Sequence, residues 1–178
     1  MALSVRRIVT GHDKNGKAIV VKDDRPPVIQ RVPGGSSNVN LWFTDKTPAD
    51  LTNEDTLDKI KKVPPPLAGS IFRIIEFVPD KQAPHPPDAK ALRKTMGVSL
   101  GGPEARHPGM HRTESIDYAL ILDGEIDMLV DDGEVHLKKG DVVIQGACNH
   151  AWANRGDKPC TIAFILIGAK TPWAGQGY

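Results

Sequence analysis

The sequence predicts an all-β domain built as an antiparallel sandwich or barrel. Short runs of apolar and β-branched residues recur along the chain, with turn signals about every eight to ten residues. The 17 glycines and 15 prolines among 178 residues are enough to separate many short strands. A chain of this length suits one domain with a full core, and a barrel of about eight strands can hold one small ligand in its interior.

The first part of the chain predicts four strands before the central segment. From Arg6 to Val21, two β-prone runs flank the tight-turn pair Asn15-Gly16, which is typical of a hairpin. Asn38–Thr44 alternates apolar and polar residues and therefore predicts a strand. Ser70–Val78 is rich in β-branched and aromatic residues and predicts the next one.

Two segments carry helical signals. Residues 48–66 contain apolar residues at helical spacing, with Thr52 or Asn53 as the candidate cap and three prolines at the end. Asp88–Met96 is the second candidate, capped by Asp88 and stopped by Gly97. The four prolines of residues 79–87 cannot pair in the middle of a sheet, so we expect this segment to run along the surface.

The central segment, Gly109 to Asn154, contains short apolar runs separated by turns that carry glycine. It is followed by Cys160–Ile167, which is apolar on both faces and predicts a strand covered on both sides. In the tail, Trp173 is expected to pack on a neighbouring surface. The strands predicted for this half are Tyr118–Leu122, Glu125–Val130, Val135–Lys138, Val142–Gln145, His150–Asn154 and Cys160–Ile167.

Composition excludes several classes of partner. The net charge of +1, with both signs interspersed, gives no electrostatic footprint for nucleic acid. No apolar run has the length of a membrane span and the N-terminus lacks a secretory apolar region, so the expected location is the cytoplasm. The hairpin and the strand bearing Leu41, Trp42 and Phe43 supply more β-surface than one barrel needs, which favours a homodimer.

Candidate site residues follow from strand parity. Counting every second residue from His111 gives Thr113, Ser115 and Asp117, followed by apolar positions, so a polar end merges into an apolar interior on one face. The same count from His150 gives Trp152. If the two strands lie in one barrel, His111, Asp117 and His150 can converge.

These residues also carry a resemblance to the cupin superfamily, and in particular to its small single-domain members. The first cupin motif is two histidines separated by one residue, then an acidic residue and a glycine. Anchored on Gly124, it places Asp117 at the acidic position, with Thr113 and His111 at the histidine positions. The second motif runs from Gly140-Asp141 through His150 to Asn154.

The resemblance implies a fold and a metal site. The fold is a double-stranded β-helix, or jelly-roll barrel, with an N-terminal hairpin extension and one or two short helices. Residues 1–69 would be the hairpin and extension, 70–168 the barrel and 169–178 the tail of one domain. The family's barrel often holds a divalent metal through the first-motif residues and the second-motif histidine. This chain departs from the pattern, because Thr113 replaces one histidine and Asp117 shortens the glutamate.

The chemistry has two versions. With metal, His111, Asp117 and His150 would bind Fe, Mn, Ni or Zn and leave open positions for an oxygen-bearing substrate. Without metal, a buried carboxyl beside imidazoles has a perturbed proton affinity, and Asp117 with His150 could act as general acid and base in an isomerisation, dehydration or cyclisation.

Further residues are candidates for the walls of this site. Thr113 would hold a water in the vacated ligand position, Gln145 would select polar groups of the substrate, and Trp152 would form an apolar wall or pack in the core. His107 could replace the missing ligand, although the HPG sequence is typical of a turn. Cys148 has two interpretations: a small buried residue in place of a glycine, or a reactive thiol.

The leading hypothesis is therefore an enzyme acting on a small oxygenated organic molecule inside the barrel. The first alternative is a metal-free module that binds such a molecule without converting it. The second is an interaction protein whose barrel is only a scaffold, which would have a cavity filled by side chains. The fold cannot decide among these, because one scaffold hosts many chemistries.

Overall fold

The structure is a computed structural model that describes residues 3–30, 35–84, 89–100 and 105–171. The predicted cap Asp88 and the predicted packing of Trp173 lie outside the described residues, as does the end of the proline-rich segment 79–87. Within the described parts the structure is dominated by antiparallel strands, and the predicted all-β class is confirmed. No helix in these parts is long and apolar enough to cross a membrane.

The N-terminal hairpin forms as predicted. Strands β1 (Arg7–His12) and β2 (Ala18–Asp24) pair as a separate two-stranded sheet, and Gly16 adopts a φ of 78° in the turn between them. Arg7 ties the hairpin to the rest of the chain. Its buried guanidinium donates to the carboxylates of Asp24 and Asp55, with Nη2–Oδ2 distances of 2.6 and 2.7 Å, and Nη1 donates to the Leu41 carbonyl.

Two larger sheets form the barrel. The six-stranded sheet has the order β3-β4-β5-β11-β6-β9, and the three-stranded sheet has the order β10-β7-β8. The strands are β3 (Ile29–Gln30), β4 (Ser37–Thr44), β5 (Ser70–Phe77), β6 (Ser115–Asp123), β7 (Glu125–Val130), β8 (Glu134–Lys138), β9 (Val142–Gly146), β10 (His150–Ala153) and β11 (Cys160–Gly168). The predicted strands of the central segment are thus confirmed to within a few residues. So is the double-stranded β-helix.

The core lies between the two sheets. Burial alternates along β6, with Ser115, Asp117, Ala119 and Ile121 buried, as the parity argument predicted. These residues face buried side chains of β7 and β10, and the resulting core cluster includes Ile126, Met128, Trp152, Ile162, Phe164 and Leu166. The outer face of β11 is covered only in part, because Ile165 is 39% exposed there.

The helices are fewer than predicted. Helix α1 (Ala89–Met96) forms and ends at Gly97, whose φ of 71° suits glycine at a helix end. The helix predicted within residues 48–66 is wrong in extent, since this segment contains a single 3-10 turn, Leu57–Lys59. Its polar side chains bind other elements instead: Asn53 bonds the backbone of His12, and the Thr56 hydroxyl accepts the backbone N–H of Phe43.

The outer face of the six-stranded sheet carries an apolar row that crosses five strands. Trp42, Phe72, Ile165, Tyr118 and Ile144 are direct neighbours in register from β4 to β9. The last four are between 37% and 60% exposed. By contrast, Leu41 and Phe43 are only 6% and 8% exposed. Leu41 packs with Val39 and Ile74 against Leu3 and Val5, next to an irregularity in the strand register between Asn40 and Trp42. The homodimer expected from the surface of β4 and of the hairpin stays a prediction.

Candidate functional site

A cavity of about 530 Å³ lies against the inner faces of β5, β6, β10 and β11 and is bounded on one side by α1. Its volume falls in the range typical of small-molecule sites. Most of the wall is apolar, formed by Val63, Ile75, Phe77, Met96, Trp152, Phe164 and Leu166. A cavity of this kind contradicts the scaffold alternative, which required an interior filled by side chains.

Two histidines of the predicted site lie side by side on the cavity wall. The backbone N–H of His111 donates to the carbonyl of His150 at 3.0 Å, and the reverse bond measures 2.9 Å. This pairing brings the ring centroids to 4.5 Å. The loop between β9 and β10 and the segment before β6 therefore deliver the two rings to one place, although the residues are far apart in sequence.

Backbone contacts set the tautomer of both rings. Nδ1 of His111 lies 2.8 Å from the Gly109 carbonyl oxygen, and Nδ1 of His150 lies 3.0 Å from the Cys148 carbonyl oxygen. Because a carbonyl oxygen can only accept, each Nδ1 carries the proton. Each Nε2 atom then carries a free lone pair. The cavity thus contains two adjacent acceptors.

Burial keeps both rings neutral. Removal from water, with a smaller effect of the neighbouring His111, lowers the pKa of His150 to about 3 against the opposing bond to the Cys148 carbonyl. The pKa of His111 is also lowered, mainly by burial, and the positive charges of Arg93 and Arg73 add to this effect against an opposing bond to the Gly109 carbonyl. Near neutral pH both imidazoles are therefore hydrogen-bond acceptors and weak bases.

Asp117 lies on the same cavity wall at the end of a buried polar row. Its Oδ1 accepts the Ser115 hydroxyl at 2.6 Å, and Oδ2 accepts the Gln145 amide at 3.2 Å. Ser115 is in turn bonded to the Thr113 hydroxyl at 2.9 Å. Burial raises the pKa of Asp117 to about 6, against the opposing effects of Ser115 and Arg73. This carboxyl can therefore both give and take a proton near neutral pH.

The other predicted site residues are placed as follows. Thr113 and Trp152 line the cavity. The Trp152 ring packs edge-to-face on Phe164 at a centroid distance of 5.4 Å, so it belongs to the wall and to the core at once. Gln145 is buried and does not line the cavity. It contacts the carboxyl of Asp117 instead.

Sequence reasoning missed two arginines on the wall, Arg73 of β5 and Arg93 of α1. Arg73 is 2% exposed, and its Nη2 donates to the Val63 carbonyl at 2.7 Å. The signal was available, because Arg73 shares its parity with Ile71 and Ile75 in a strand that is otherwise apolar on its inner face. A charged residue at an inward position usually marks a functional or paired group.

His107 and Asp80 form a second polar contact on the cavity wall. The Nε2 atom of His107 lies 3.4 Å from Asp80 Oδ2, while its Nδ1 accepts the backbone N–H of Gly109 at 3.0 Å. His107 therefore makes the turn that its HPG sequence predicts and also faces the cavity. Cys148 is not activated as a nucleophile, because burial raises the pKa of its thiol.

Comparisons with known proteins cover the segment that contains His111, Asp117 and His150. The family model described as "Cupin domain" matches residues 98–167. Across 92% of the chain, residues are 35% identical to "Phomopsin biosynthesis cluster protein C'" of Diaporthe leptostromiformis, of which 78% is covered. The chain belongs to the cupin family.

This cupin has further relatives with related names. It is 28% identical to "Cupin-domain-containing oxidoreductase srdD" of Neurospora crassa, over 92% of the chain and 75% of the relative. Among solved structures, the "Schizosaccharomyces pombe Cnp3 Cupin Domain" matches 97% of this cupin and 93% of its own chain, with 12% identity and a TM-score of 0.49.

The donor set of this cupin fits the predicted metal site in part. The two histidines offer Nε2 lone pairs with Nδ1 bonded to a carbonyl, an arrangement that suits nitrogen ligation. Across the described ranges, however, no three His, Cys, Asp or Glu side chains form a group that could hold a metal ion. Asp117 is bonded to Ser115 and Gln145 and does not join the histidine pair. The three-ligand set remains a prediction.

Proposed function

We propose that this cupin is an enzyme that moves protons on a small, largely apolar organic molecule held inside its barrel. The observation that supports this most directly is the placement of Asp117 on the same cavity wall as two neutral imidazoles with free Nε2 atoms. The reaction class is isomerisation, dehydration or cyclisation, in which a proton leaves one atom of the substrate and is returned to another.

Each group has a role in this proposal. Asp117 takes the proton as a carboxylate and returns it as a carboxylic acid, because burial places its pKa at about 6. His150 and His111 accept a hydrogen bond from a hydroxyl group of the substrate and orient it against the carboxyl. Thr113 and Trp152 border the bound molecule. Ser115 and Gln145 hold the carboxyl in place.

A deuterium-exchange assay tests the proposal with a panel of compounds and does not require the natural substrate. Enolisable and unsaturated carbonyl compounds are incubated with the protein in D₂O, and incorporated deuterium is measured by mass spectrometry. Wild-type protein should exchange at least one compound. Asp117→Asn should lower the rate by about 100-fold or more, the usual contribution of a general acid or base. His12→Gln, at an exposed position in the hairpin, is the matched control and should exchange like wild type.

Two results contradict the proposal. Equal exchange by Asp117→Asn and wild type would remove Asp117 from the chemistry. Tight binding of a compound that is recovered unchanged, with no exchange in any arm, would favour the binding-module alternative.

The second candidate is a metal-dependent oxidoreductase, and two observations favour it. The paired Nε2 atoms suit Fe, Mn, Ni or Zn, and several relatives carry the word oxidoreductase in their names. A bound metal would supply Lewis-acid or redox chemistry at the histidine pair. Metal analysis of protein purified without chelator, beside His150→Ala, tests it. A stoichiometric metal that is lost in His150→Ala would replace the first proposal with this one.

A further inference from the structure

The cavity wall combines aromatic side chains with charged ones. Phe77, Trp152 and Phe164 form a cluster of aromatic rings with centroid distances of 5.4 to 6.3 Å. All three line the cavity, and none presents a charge. Such a surface suits the apolar body of a ligand. The polar groups of the wall lie beside this cluster, since Arg73 is the cross-strand partner of Phe164 and the rings of His150 and Trp152 have a centroid distance of 6.4 Å.

Two guanidinium groups stand near that histidine pair. Arg73 is held on the central strand β5 and is nearly inaccessible to solvent, while Arg93 is half-buried on α1. Both line the cavity, and the positive charges of both reach His111. A guanidinium has five N–H donors arranged in a planar fork that matches a carboxylate.

The acidic groups of the wall have other contacts. Asp80 Oδ1 accepts the backbone N–H of Asn154, and its Oδ2 lies against His107. Asp117 is bonded to Ser115 and Gln145. Arg73 also acts on Asp117, whose pKa it lowers. At His111, however, the charges that act are those of Arg93 and Arg73, and both are positive. A wall that presents two guanidinium groups in this way favours a negative ligand group.

We propose that the substrate is an organic anion with an apolar body, whose carboxylate binds Arg73 and Arg93 while its body lies against Phe77, Trp152 and Phe164. The inference rests on the proposed function, because it names the substrate class of the same site. It also fixes the direction of the bound molecule. The carboxylate faces the guanidinium groups, and a neighbouring hydroxyl faces the two Nε2 acceptors, which cannot donate to an anion.

The test compares two probes of equal size, 3-phenylpropionate and 3-phenylpropanamide, which differ in charge. Binding to the full-length protein is measured by isothermal titration calorimetry at pH 7.5 and low salt. Wild type should bind the acid about tenfold more tightly than the amide, or better, as expected from one hydrogen bond between charged groups. Arg93→Gln should reduce this preference at least about threefold.

Controls separate the site from general charge. Lys94→Gln removes a neighbouring positive charge at an exposed position of α1 and should keep the wild-type preference. Arg73→Lys keeps the charge but removes the fork, so the preference should fall. If circular dichroism shows that Arg73→Lys does not fold, Arg93→Gln decides. Equal binding of acid and amide by wild type, binding of neither, or an unchanged preference in Arg93→Gln would overturn the inference.

The two proposals can fail separately. Binding of 3-phenylpropionate requires no turnover, so a protein that prefers the acid but exchanges no deuterium would refute proton transfer and leave the anion site standing. A protein that exchanges deuterium but binds the amide as tightly as the acid would refute the anion site and leave proton transfer standing.

Discussion

The raised pKa of Asp117 predicts a pH-dependent stability that Asp117→Asn removes. The carboxyl is 4% exposed, and burial raises its pKa from 3.8 to about 6. The folded state therefore binds this proton more tightly than the unfolded chain does. The contribution of this carboxyl to stability is largest below pH 3.8, where the group is protonated in both states. It falls as the pH rises through the folded-state pKa of about 6.

The size of the effect follows from the same pKa. The difference between 3.8 and about 6 corresponds to about 3 kcal/mol, at about 1.4 kcal/mol per pKa unit. Urea denaturation from pH 4 to pH 8 measures it, with wild type and variant compared at each pH so that the other titrating groups cancel. The free energy of unfolding of wild type minus that of Asp117→Asn should fall by about 2 to 3 kcal/mol across this range.

Ser115→Ala supplies the second arm of this experiment. The Ser115 hydroxyl lowers the pKa of Asp117, so its removal should raise that pKa further. The fall in stability should then continue to higher pH than in wild type. A difference between wild type and Asp117→Asn that stays constant from pH 4 to pH 8 would refute the reasoning, because it would mean that burial does not shift the carboxyl.

Three other predictions concern the histidine pair, the hairpin and the sheet surface. ¹⁵N NMR of His111 and His150 should show neutral rings with the proton on Nδ1 at pH 6 to 8, and a charged ring there would contradict the assignment. Arg7→Met should lower the free energy of unfolding, measured by chemical denaturation, by about 2 kcal/mol. This figure allows for solvent screening, because Asp24 and Asp55 are more than one-third exposed. Arg6→Met removes an exposed ion pair and should lower the free energy of unfolding much less. We expect light scattering to report a homodimer. If the apolar row is the interface, Ile144→Asp in that row should yield a monomer. A dimer in both wild type and Ile144→Asp would show that the row is not the interface.

The sequence was sufficient for the strands and for the two histidines. Periodicity of two and glycine-bearing turns mark strands strongly, and Gly124, Gly133 and Gly140 indeed take positive φ at the predicted turns. The parity count from His111 put Thr113 and Asp117 on one face, and both line the cavity. Burial alternates from Ser115 to Ile121 along β6, which continues the same count. These predictions depend on local geometry, which a sequence pattern encodes directly.

Other features depend on partners that are distant in sequence. The segment 48–66 has helical spacing, but its polar side chains bond β4 and the hairpin, and these tertiary contacts outweigh a weak helical preference. Arg93 reaches the cavity because α1 packs over one side of it, which no spacing in the sequence shows. The position of Gln145 behind Asp117 likewise required the register between β6 and β9.

That register determines how the carboxyl of Asp117 is held. Gln145 is the direct partner of Asp117 across β6 and β9, and its amide binds the Oδ2 atom of the carboxyl. The Ser115 hydroxyl binds the other oxygen. Each carboxylate oxygen has two lone pairs, so it can keep its hydrogen bond whether the carboxyl acts as an acid and base or binds a metal. The two buried donors therefore fix the orientation of Asp117 under either chemistry.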